Sequence, residues 1–205
     1  MPHREYAGLF LSGRRGNNRP EPLTKWHLAA RDAEIGRKVG EILGGVPERS
    51  NSTASHGLGV ETQCTEILVS LDDANSVRLE MVQWGPSGVI HHCDGSVFLG
   101  RTQGRGGACG CPLEIEKRKE KAKCGEGPQP SAEIEFRLAK RPDLGIFLFR
   151  SNSWEFFESA KIFDEALAEG WKDVLCRLSI GIVELESGEG ISLAYSRPVI
   201  EVLGN

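Results

Sequence analysis

The sequence predicts an α+β fold: a largely antiparallel sheet with two helices and one cysteine-rich excursion. Three observations carry this. Apolar runs with strand periodicity come in neighbouring pairs joined by short turns, which favours hairpins over βαβ crossovers. Only two stretches show helical periodicity. Four cysteines crowd into residues 93–124, a glycine-rich, charged stretch with almost no apolar content.

Taken in order, Tyr6 to Ser12 reads as a strand, broken by the basic loop 13–20. A second apolar patch surrounds Leu23, Trp26 and Leu28. Residues 32–43 read as a helix, with Asp32 as cap, Ile35, Val39, Ile42 and Leu43 on one face, and Gly44-Gly45 at its end. The polar stretch 46–63 reads as loop or weak edge structure. Thr65 to Leu71 and Val77 to Trp84 read as two strands of a hairpin around Asp72-Asp73-Ala74-Asn75. Ile134, Phe136 and Leu138 alternate with charged residues, as in a half-buried strand, and Gly145 to Arg150 follows as another. Ser153 caps a helix expected to run to about Ala168, with Phe156, Ala160, Phe163 and Leu167 on one face. Val174 to Leu185 and Ile191 to Leu203 form a final hairpin around 187–190. The expected organisation is one α+β domain in two halves, 1–87 and 129–205, with an insertion at 88–128.

Composition narrows the function. With 205 residues, 39% of them hydrophobic and 26% charged, the chain can bury a sizeable core. A net charge of -4 argues against a general nucleic-acid coat. Charge is uneven: residues 101–123 hold seven Lys/Arg against three Glu, and residues 153–190 hold nine acidic against three basic groups, which suggests two faces with different partners. No apolar run reaches membrane-spanning length and no secretory signal is visible, so a cytoplasmic location is expected, where six cysteines read as metal ligands or core residues.

Cys93, Cys109, Cys111 and Cys124 have the spacing C-x15-C-x-C-x12-C. A segment too polar to fold on its own core needs another constraint, and structural Zn2+ on four thiolates supplies one. Free or redox-active thiols and disulfides are the other readings. His91 and His92 adjoin Cys93, and either could replace a thiolate. Cys64 and Cys176 fall in or beside strands and read as buried core thiols. No nucleophile–base pair and no phosphate-cradling loop is present, so neither an enzyme nor a small-molecule substrate is expected. Lys117, Arg118 and Lys119 are candidates for contact with a partner or with phosphate, and Trp154 and Phe157 for an exposed interface anchor.

These residues together resemble a family of phage and prophage recombination directionality factors, the partners of large serine integrases in actinobacterial phages. The resemblance rests on Arg19-Pro20 with Leu23 and Trp26, on Trp84 before Gly88, and on Cys93-Asp94-Gly95. It continues through Cys109-Gly110-Cys111-Pro112, Cys124, the 144–151 stretch leading into a helix, and Pro198-Val199. It implies a binding protein that engages a large serine integrase bound to DNA and favours excision between hybrid attachment sites, with at most weak DNA binding of its own. The competing reading is a zinc-dependent nucleic-acid-binding module whose 101–123 segment touches phosphate.

Overall fold

The computed structural model describes residues 5–15, 20–49, 58–163, 170–186 and 192–204. Residues 16–19 of the basic loop, residues 50–57 of the polar stretch, the end of the last expected helix with Leu167, and the final hairpin's turn lie outside the described residues. The elements are β1 (Gly8–Arg15), β2 (Pro20–Ala30), α1 (Ala33–Leu43), β3 (Pro47–Arg49), β4 (Leu58–Glu61), β5 (Glu66–Leu71), β6 (Val77–Gly85), β7 (Gly88–Cys93), α2 (Ile115–Lys123), β8 (Gln129–Leu138), β9 (Phe147–Ser151), α3 (Trp154–Ala160), β10 (Val174–Glu186) and β11 (Ser192–Gly204). This is α+β with a mostly antiparallel sheet.

The sheet runs β11-β10-β5-β8-β9-β1-β2-β4-β3, with β6 and β7 branching from β8. The β1–β9 ladder is parallel and the rest are antiparallel. Strand β8 is the spine. Ile134, Phe136 and Leu138 are buried as their alternation requires, and Glu135 between them is also buried, where the Tyr6 hydroxyl donates to it at 2.6 Å.

An aromatic cluster fills the core. Phe10 meets Trp26 edge to face at 6.1 Å, Trp26 meets Phe149 at 5.1 Å, and Phe149 meets Phe156 of α3 at 5.0 Å. The caps form as the sequence implies: Asp32 accepts from the Ile35 amide at 2.9 Å and Ser153 from the Phe156 amide at 3.3 Å. Phe156, Ala160 and Phe163 are all buried. Cys176 is a core thiol whose burial pushes its pKa up to about 12, and Cys64 donates to the Leu43 carbonyl at 3.2 Å.

Two expectations are corrected. Strands β5 and β6 do not pair as a hairpin. Both lie antiparallel to β8 along one edge, with Val69 opposite Leu138 and Val77 opposite Ile134. The turn residues between them build a short 3-10 turn, with the Asn75 amide donating to Asp73 at 2.8 Å. That turn interrupts the strand without reversing it, and the free edge of β5 is taken by β10. The second correction is a third helix, α2, in the basic run. It has no apolar stripe, only Ala122 being buried, so periodicity could not reveal it.

Candidate metal centre

Strand β7 presents His91 and Cys93 two residues apart, hence on one face of the strand. After β7, Asp94 accepts from the Ser96 and Val97 amides at 2.7 and 2.8 Å, turning the chain back on itself. Residues 96–98 then pair with 106–109: the Phe98 amide donates to Gly107 at 2.8 Å and the Cys109 amide to Ser96 at 2.9 Å. This returns Cys109 to the end of β7. Gly110, at φ 73°, makes the sharp step that lets Cys111 face the same point.

The result is a cluster of His91, Cys93, Cys109 and Cys111 whose ligand atoms all lie within 4.8 Å of one another. His91 Nε2 is 3.2 Å from Cys93 Sγ and 3.4 Å from Cys111 Sγ, and the two sulfurs are 3.8 Å apart. Tetrahedral ligands held at zinc distances stand about 3.5–3.8 Å apart, so the donor set has the size of one four-coordinate ion. The sulfurs are unbonded and all six cysteines are free. Burial raises the Cys93 and Cys111 thiols above the ordinary cysteine value, and it lowers His91, with His92 as a second cause.

Arg118 holds the loops around the cluster. Its guanidinium donates to the Pro112 carbonyl, to Gly95 at 2.9 Å and towards Met81 Sδ at 3.8 Å. A side chain on Gly95 would collide with that guanidinium, and its φ of +98° independently favours glycine. The Gly95 amide in turn donates to Cys93 Sγ at 3.3 Å, a contact that orients this sulfur within the cluster.

The cluster corrects the four-thiolate expectation. Cys124 is exposed at the end of α2, outside the cluster, and His91 takes its place. His92 points elsewhere and pairs with Glu80 at 2.8 Å. The i, i+2 spacing of His91 and Cys93 on a strand was the available signal, since it places both on one face.

The expected partner residues fare differently. Phe157 is 2% exposed and belongs to the core, so it is no interface anchor, because its helix packs that face inward. Trp154 is half-buried against the same core. Lys117 pairs with Glu114 at 3.0 Å, and Lys119 with Glu116 at 2.9 Å and Glu158 at 3.4 Å; Arg118 is occupied structurally as described. Lys121 and Lys123 are exposed and make no ion pair among the described residues. No described helix is long and apolar enough to cross a membrane.

Comparison with known proteins adds a family. The model for Gp3-like, recombination directionality factor-like proteins matches residues 8–167, from the start of β1 past α3 and including the whole cluster. No solved structure matches the chain. The chain belongs to the recombination directionality factor-like family.

Proposed function

Starting from that membership, we propose that this protein binds a large serine integrase on DNA and redirects it from integration to excision between hybrid attachment sites. The family match over residues 8–167, from β1 through α3 and including the cluster, is the observation that carries the reading. A directionality factor needs a recombinase to act on, and DNA specificity can stay in that recombinase, which suits a net charge of -4. The protein then does no chemistry of its own and works by binding alone.

The cluster's role in this reading is architectural. Three sulfurs and one imidazole are a donor set that suits Zn2+, and four protein ligands leave no open position for substrate. The ion would tie β7 to the 96–111 loops and so fix the surface beside them. Bound zinc supplies folding free energy to this segment and no reactive group.

Directional control is a population shift. A partner moves an equilibrium only by its differential affinity for the two synaptic arrangements, and reversing a 1:99 ratio takes roughly a 10⁴-fold difference. The test is recombination in vitro with the integrase from the same phage or prophage, on paired left and right hybrid sites. Excision only when this protein is added is the expected result. No excision with folded, metal-loaded protein overturns the reading; tight, steeply salt-dependent binding to DNA without integrase would then favour a nucleic-acid-binding module.

A further inference from the structure

We propose that the tip of the β6–β7 hairpin and the cleft beside it are the recombinase-docking surface, and that they receive an apolar side chain flanked by acidic residues. The inference rests on the function proposed above and names the face that performs it.

Trp84 is 73% exposed, and Ile90, on the paired strand, is 53% exposed. Strands β6 and β7 pair through Trp84 opposite Val89, itself exposed, with the register shifting between Gln83 and Trp84. The cross-strand pair Trp84 and Val89 is costly to leave in water at a strand tip unless a partner covers it, and tryptophan is the residue most often found at the energetic centre of an interface. Trp84 also lines a cleft of about 310 Å³, whose other wall includes Ala122, Gly125, Gly127 and Pro130. That volume accepts one large side chain.

Charge identifies the occupant. Lys121 and Lys123 flank Ala122, which lines the cleft; both are exposed and make no ion pair among the described residues, Lys121 lining the neighbouring cleft beside His91 and Cys111, and between 121 and 131 only Glu126 opposes them. An acidic flank on the incoming segment complements these two lysines beside the cleft. Exposed apolar groups at the centre with cations at the edge fit a protein segment better than a phosphate backbone, which would meet the tryptophan without using it.

The cleft is coupled to the metal centre. One wall is the hairpin that carries His91 and Cys93; the other follows α2, whose Arg118 bridges Met81, Gly95 and Pro112. Gln83 Nε2 joins the two walls by donating to the Gly125 carbonyl at 2.7 Å. Losing the metal should therefore open the docking face.

The experiment measures binding of purified, zinc-loaded protein to the DNA-bound integrase for wild type, Trp84→Ala, Lys121→Glu with Lys123→Glu, and Val46→Ser. Val46 is a control: it is 74% exposed but lines a different cleft, with His27 and Glu61. Circular dichroism and zinc content verify each fold. Trp84→Ala should weaken binding about thirtyfold, the lysine variant should weaken it and flatten its salt dependence, and Val46→Ser should leave it unchanged. Because both lysines are exposed, that variant tests the surface even if Trp84→Ala folds poorly. Wild-type affinity in the folded Trp84 and lysine variants overturns the surface while leaving the function standing. Wild-type protein that binds no integrase overturns the function and the occupant assigned to this face together.

Discussion

The framework and the excursion are stabilised by different physics within one chain. In the framework, Phe10, Trp26, Phe136, Phe147, Phe149 and Phe156 are buried almost completely and meet largely edge to face. In residues 88–128 the buried hydrophobic side chains are Cys93, Cys109 and Ala122, and two of these belong to the His/Cys cluster. Apolar burial explains the first region and fails for the second. The difference teaches that the excursion's order depends on convergent donors, backbone turns and one arginine.

Removing the proposed metal should break the comparison most sharply. Structural zinc contributes on the order of 10 kcal/mol apparent folding free energy. Chelation, or Cys109→Ser with Cys111→Ser, should therefore admit protease at 88–128 and leave the sheet resistant. Uniform digestion of the whole chain would show that the two regions are not separable.

The reciprocal change lies in the core. Phe149→Ala removes a ring in contact with Trp26 and Phe156 and should cost about 3–5 kcal/mol in chemical denaturation. Zinc bound per folded chain should not change. Arg118→Ala is smaller, leaving the Gly95 and Pro112 carbonyls without that donor at about 1–3 kcal/mol. Hydrogen exchange should quicken around 94–97 and 112–118 and stay slow in β8.

The smallest effect belongs to a cap. Asp32→Ala should cost about 1 kcal/mol and lower the melting temperature slightly. The Ile35 amide, with burial opposing and Arg31 assisting, holds the Asp32 carboxyl below its ordinary value. Its contribution is present above the unfolded-state pKa and fades as pH falls through the folded one. A wild-type melting temperature whose acid-side decline the variant reproduces unchanged would contradict this.

Much of the framework was legible because burial writes itself into periodicity. The alternation through Ile134, Phe136 and Leu138 marked the central strand, and Asp32 and Ser153 marked two helix starts. The β5–β6 relation was not legible, because Asp72 to Asn75 suits a reversal and a local interruption equally; only the competing partners β8 and β10 decide between them. Helix α2 was hidden by its lack of an apolar face. At the cluster, cysteine spacing marked three of the four residues that converge, while choosing between His91 and Cys124 depended on where α2 ends, which spacing does not encode. Exposed Trp84 was visible only as a residue type, since its exposure follows from the hairpin's branching off the sheet.

The most direct test of a metal-held excursion is the zinc content of purified protein by native mass spectrometry, for wild type, Cys124→Ser and His91→Ala. The proposed zinc centre predicts one zinc in wild type, one in Cys124→Ser, and loss or marked weakening in His91→Ala. Loss of zinc from Cys124→Ser with full retention in His91→Ala would contradict the His91–Cys93–Cys109–Cys111 centre.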